Sequence, residues 1–134
     1  MTESVVMRVD PTPRAVKLAR DAIDRLHGRL SDRTIEDARL MISELVTNCL
    51  RHASLRPDQP IEITLDLDGR RLRVEVVDPG PGFVLHPRTL DTPLGTGWGL
   101  FLVAQLATAW GTHSDGATHV WFELESPDGA ATTP

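Results

Sequence analysis

Apolar and polar residues alternate most strictly between Ile61 and Leu67. Ile61, Ile63, Leu65 and Leu67 are separated by Glu62, Thr64 and Asp66. Successive side chains of a strand point to opposite faces, so this run predicts a strand with one buried and one wet face. Asp68-Gly69 follows, a dipeptide suited to a tight hairpin turn, and Leu72, Val74 and Val76 resume the alternation on a partner strand. Val120, Phe122 and Leu124 predict a last strand within Ala117 to Glu125, and Ser4 to Val9 alternates weakly as a first strand.

A second rhythm is helical. Ala15, Leu18, Ala19, Ala22, Ile23 and Leu26 recur at helical spacing, with Pro13 in the first turn and Gly28 as a C-cap. Ser31 or Asp32 caps a second helix whose apolar stripe is Ile35, Ala38, Ile42, Leu45 and Cys49. Gly99 to Trp110 reads as a third helix, burying Leu102, Val103, Leu106 and Ala109 or Trp110. Ser54 to Pro60 reads as a loop, and Gly111 to Asp115 is short and ambiguous. Phe83 to Leu94 has no period and is long for a connection, which suits a lid or binding loop. One domain over 1–125 and a frayed tail over 126–134 follow from this reading. Helices and strands in this mixture predict an α/β (α+β) two-layer sandwich, with helices on one face of a mostly antiparallel sheet.

Bulk properties narrow the picture. The 134 residues suit one domain, and a net charge of −5 argues against nucleic-acid binding, which favours a basic stripe. Cys49 is the single cysteine, so no internal disulfide forms and a reducing cytoplasm fits. The N-terminus shows no basic region followed by an apolar run, so no secretory signal is expected. Leu100 to Trp110 is the longest largely apolar stretch and is too short to span a bilayer. A cytoplasmic protein without membrane attachment is the expectation.

Three short boxes carry candidate chemistry. Glu44 and Asn48 are spaced to project from one face of the second helix. Asn48 offers a neutral oxygen suited to Mg²⁺, and Glu44 could take a proton from a water or hydroxyl attacking a terminal phosphate. Asp78 stands at a strand end before Pro79-Gly80-Pro81-Gly82. A carboxylate there can accept a hydrogen bond from the exocyclic amine of adenine, and Gly80 and Gly82 let the backbone approach a flat base. Gly95-Thr96-Gly97-Trp98-Gly99-Leu100 leads into a helix, where exposed backbone N–H groups and the helix dipole suit a polyphosphate. The Lys-Ser/Thr ending of the P-loop is absent.

Each box alone has a plainer reading. A Glu–Asn pair also suits a solvated helix face, and an Asp-x-Gly-x-Gly run also suits a turn. Trp98 could cover a nucleotide or pack under the loop. His52, near the helix end, fits a favourable C-terminal charge as well as a place beside the candidate cofactor residues. His27, His86, His113 and His119 show no ligand spacing, so a zinc site is not expected, and Cys49 reads as a small core residue.

Taken together, the boxes resemble the ATP site of the GHKL superfamily (gyrase, heat-shock chaperone, histidine kinase and mismatch-repair ATPases). Glu44-Leu45-Val46-Thr47-Asn48 resembles its N box, Asp78 to Gly82 its first glycine box, and Gly95 to Leu100 its second. Gly116-Ala117-Thr118 resembles the third, where a threonine supports the adenine-binding aspartate. The resemblance spans nearly the whole chain. Within the superfamily the chain looks most like the bacterial anti-sigma-factor serine/threonine kinases.

That resemblance implies a Bergerat fold with a mixed, mostly antiparallel sheet, and ATP and Mg²⁺ as cofactors. It implies phosphorylation of an anti-sigma-factor antagonist protein, sequestration of a sigma factor, and homodimerisation. Glu44 would be the general base, Asn48 the metal ligand and Asp78 the adenine anchor. Gly97, Trp98, Gly99 and Leu100 would hold phosphates through backbone N–H groups. Kinases of this kind tend to carry a basic residue just before the second glycine box, where this chain has Leu94-Gly95-Thr96. Arg51 and Arg88 are candidates to replace it. The alternative is an adaptor of the same fold that binds nucleotide and transfers nothing.

Overall fold

The computed structural model describes residues 2–52, 55–79 and 99–127. Its elements in chain order are β1 (Thr2–Val9), α1 (Arg14–Asp24), α2 (Asp32–His52), β2 (Ile61–Asp68), β3 (Arg71–Asp78), α3 (Gly99–Leu106), β4 (Ala109–Ser114) and β5 (Thr118–Glu125). The strands form one sheet in the order β1-β2-β3-β5-β4, and all four pairings are antiparallel. The two-layer α+β sandwich read from the sequence is the architecture found.

Alternation on the three central strands becomes one apolar layer. Register places Ile63 beside Val76, Leu65 beside Val74 and Leu67 beside Leu72. On the next strand Val120, Phe122 and Leu124 lie opposite Val76, Val74 and Leu72. All nine of these side chains are buried, and Phe122 is fully so. Gly69 makes the β2–β3 turn with φ +63°, a conformation that costs a glycine little.

Helix α2 covers this layer with Ile35, Ala38, Ile42, Leu45 and Cys49, the predicted stripe, and also with Met41 and Val46. A stripe this wide suits a helix packed between the sheet and its neighbours α1 and α3. Its start is fixed by Ser31, whose Oγ accepts the N–H of Thr34 at 3.1 Å. The N–H of Ser31 in turn donates to Ser126 Oγ at 2.9 Å, and the N–H of Ser126 donates to the carbonyl of Arg70 at 2.8 Å. Ser126 is therefore buried and tied down, although its composition reads as the start of the tail. Residues 128–134 lie outside the described residues.

Two elements differ from the sequence reading. Helix α1 ends at Asp24 with Arg25 as its C-cap, so Gly28, at φ +89°, lies in the turn beyond and is not the cap. The third helix stops at Leu106, and Ala109 and Trp110 open the edge strand β4 instead of closing a helix. Trp110 is 38% exposed on that edge and is no core anchor of α3. The N–H of Thr108 already donates to the carbonyl of Glu123, and Trp110 then pairs with Phe122. Cross-strand pairing decides the conformation here, and the apolar run at helical spacing does not. A Cβ at Gly111 would come within 2.8 Å of the Trp121 ring, so a larger residue there would force that ring to shift.

Candidate functional site

Antiparallel register brings the end of β3 against the beginning of β5, so Asp78 pairs with Thr118. Both side chains fall on the sheet face that α2 covers. Helix α2 runs over this point and presents Leu45, Asn48 and Cys49. Together with Val76, Asp78, Thr118 and Val120, these residues line one small, partly open cavity. Asp78 is 1% exposed, and Asn48 and Thr118 are each 8% exposed.

The cavity is thus an apolar slot with a carboxylate, a carboxamide and a hydroxyl converging on it. Alternation explains the apolar walls. Val76 and Val120 lie two residues from Asp78 and Thr118 on their own strands and share their face. A buried carboxylate costs free energy, so its place at the end of a strand beside an apolar slot suits a ligand donor. Chemically, the arrangement offers polar side chains beside apolar walls.

The sequence candidates divide into four groups. Asn48, Asp78 and Thr118 are brought together around the cavity. Glu44 sits one turn before Asn48 on α2, is half-buried, and is not among the residues lining the cavity. Gly80, Gly82, Gly95, Thr96, Gly97 and Trp98 lie outside the described residues, as does Arg88. Gly99 and Leu100 open α3 and His52 ends α2, with only their backbone described.

A family model for the histidine kinase-like ATPase domain matches residues 9–124. The chain belongs to that family. The fold of this histidine kinase-like ATPase domain is also similar to solved structures. One is the crystal structure of the RsbU and RsbW domains of Rv1364c from Mycobacterium tuberculosis, with a TM-score of 0.73 and 20% identity, covering 98% of this chain and 34% of that one. Another is the histidine kinase domain of the blue-light activated histidine kinase from Erythrobacter litoralis EL346. It has a TM-score of 0.56 and 24% identity and covers 85% of this chain and 60% of that one. The chain therefore spans about a third of the first structure's length. No curated protein matches it. Among the described residues, no helix is long and apolar enough to cross a membrane.

The sequence reading placed Cys49 in the core but not at the site. Helical geometry could have found it, because Cys49 directly follows Asn48 and sits one turn after Leu45, both of which line the cavity. Burial pushes the Cys49 thiol up to about 12, and the nearby negative charge of Asp78 adds to the rise. An unfolded thiol ionises near 9, so the folded state holds this proton longer. The stabilisation from the neutral thiol is complete below that value and is lost as pH climbs from about 9 toward 12. At pH 8 the native protein should therefore leave a thiol-reactive disulfide reagent unconsumed, while denatured protein reacts at once. Fast stoichiometric labelling of native protein would contradict the enclosed, protonated state.

Proposed function

We propose that this histidine kinase-like ATPase domain binds ATP with Mg²⁺ and transfers the terminal phosphoryl group to a serine or threonine. The acceptor is an anti-sigma-factor antagonist protein, and the chain itself restrains a sigma factor, acting as a homodimer in the cytoplasm. The observation that carries this reading is the pairing of buried Asp78 with Thr118 across a cavity that also holds Asn48. Likeness to the RsbU and RsbW domains of Rv1364c supports the kind of partner proposed.

In this reading Asp78 accepts the exocyclic amine of the base and Thr118 holds the carboxylate in place. Adenine is preferred to guanine, whose carbonyl at that position is a second acceptor. Val76, Val120 and Leu45 flank the heterocycle and exclude water. Asn48 supplies its side-chain oxygen to Mg²⁺, which is satisfied by few protein ligands because it keeps several waters. Glu44 takes the proton of the attacking hydroxyl, and the glycines from Gly95 to Gly99 offer N–H groups to the phosphates.

A thermal unfolding series with MgATP tests the binding half. At about 100 times the dissociation constant, ligand should stabilise the fold by about 2.7 kcal/mol, and MgGTP should give no comparable rise. No shift with MgATP would remove the proposal.

A second reading is favoured by Leu94-Gly95-Thr96, where no cation precedes Gly97. A nucleotide-gated adaptor would show the same thermal shift yet yield no phosphoserine or phosphothreonine on any antagonist. Phosphoryl transfer depends on charge stabilisation around the terminal phosphate, so that local sequence bears on transfer more than on binding.

A further inference from the structure

The face of the sheet away from the helices carries a second cluster, set by the β4–β5 hairpin. Register puts His113 directly opposite His119, with the rings stacked at 4.1 Å between centroids and 16° between planes. Asp115 stands in the connecting turn, which Gly116 closes at φ +100°. His119 Nε2 lies 2.9 Å from Asp115 Oδ1, and His119 Nδ1 lies 2.8 Å from Glu75 Oε2 on β3. One ligand atom from each of His113, Asp115 and His119 falls within 4.8 Å of the others. Since His119 follows Thr118, strand alternation directs it away from the nucleotide cavity.

We infer that His113, Asp115 and His119 form a binding site for a zinc-type transition-metal dication, separate from the nucleotide cavity and oriented by Glu75. The donor set is two imidazoles and a carboxylate, which suits Zn²⁺ and its neighbours better than Mg²⁺ or Ca²⁺. Glu75 accepts the Nδ1 proton of His119 and so turns the Nε2 edge toward Asp115, the outer carboxylate arrangement common behind metal-bound histidines. A tetrahedral zinc shell needs ligand atoms about 3.4 Å apart, so binding requires the exposed His113 ring to turn out of its stack on His119 and the exposed Asp115 carboxylate to give up its contact with His119 Nε2. Among the described residues this cluster offers three protein ligands, leaving a fourth position for water or a partner's side chain.

Glu75 is itself held. Arg73 Nη1 donates to Glu75 Oε1 at 2.9 Å, and the Arg73 guanidinium lies 4.7 Å over the Trp121 ring. The outer carboxylate is therefore fixed before any ion arrives, which lowers the ordering cost of binding. The spacing His-x-Asp-x-x-x-His is uninformative in the sequence until β4 is recognised as a strand. Only then do the two histidines become cross-strand neighbours.

The test uses the full chain without an affinity tag and without nucleotide, titrated with Zn²⁺ and separately with Co²⁺. One Zn²⁺ per chain is expected, with Co²⁺ giving the visible absorption of a low-coordinate site. His113→Ala replaces an exposed side chain and should weaken Zn²⁺ by about 100-fold or more, and Glu75→Gln by about 10- to 100-fold. Asp78→Asn, on the other face, should leave Zn²⁺ affinity unchanged while weakening ATP, which separates this site from the proposed function. Absence of Zn²⁺ uptake, uptake unaltered by His113→Ala, or uptake lost in Asp78→Asn would each overturn the assignment.

Discussion

Asp78→Asn is expected to weaken ATP binding by about 10- to 150-fold, read by calorimetry with Mg²⁺ present. The estimate converts the roughly 1.5–3 kcal/mol of a hydrogen bond to a charged group into affinity. Asn is nearly the same size as Asp, so the cavity keeps its shape. What changes is chemistry: an amide nitrogen can face the amine of the base, donor against donor, inside a slot walled by Val76, Val120 and Leu45. Circular dichroism should show the variant folded. Unchanged ATP affinity in a folded Asp78→Asn protein would remove the adenine anchor from the proposal. The same substitution should lower the Cys49 thiol from its raised value, because one of the two causes of that rise is gone.

Glu44→Ala is expected to act on a different step. Phosphoryl transfer to the antagonist should fall by about 10²- to 10⁴-fold, the range of a lost general base. ATP affinity should stay within about threefold, since Glu44 is half-buried one turn away and does not line the cavity with Asn48 and Asp78. Single-turnover phosphorylation and calorimetry on the same preparation separate the two quantities. Equal loss in both would make Glu44 a binding or folding residue, and an unaltered transfer rate would exclude it as the base. A wild-type protein that binds ATP and transfers nothing would instead support the adaptor reading.

The parts of the fold that were legible in the sequence are those where one pattern had no rival. Ile61 to Leu67 alternates without interruption between charged or hydroxyl residues, and it forms β2 as read. The stripe from Ile35 to Cys49 is long enough for its period to be clear, and Ser31 caps that helix as its side-chain chemistry suggests. The run from Gly99 forms a helix as read as far as Leu106, and only its extension to Ala109 and Trp110 misled, because an apolar run satisfies helix and strand periods alike. What separates them is pairing with β5, a contact made by residues distant in sequence.

The candidate site was legible only as residues on separate elements. Asn48, Asp78 and Thr118 could be named from their boxes, whereas their meeting depends on the register of β3 with β5 and on the path of α2 above them. Cys49 was missed as a cavity residue because an apolar stripe explains it equally well. The histidine pair was missed for the same reason as β4, since neighbours across a hairpin are not neighbours along the chain.

Ser126 couples parts of the chain that a domain boundary drawn at Glu125 would separate. Its hydroxyl meets the backbone of Ser31 and its N–H meets Arg70, so the last strand's exit is stitched to the doorstep of α2 and to the β2–β3 turn. Trimming the protein at residue 125, or fusing a tag there, would loosen the root of the helix that bears Asn48. Expression versions meant to preserve the cavity beside Asp78 should therefore extend past that serine.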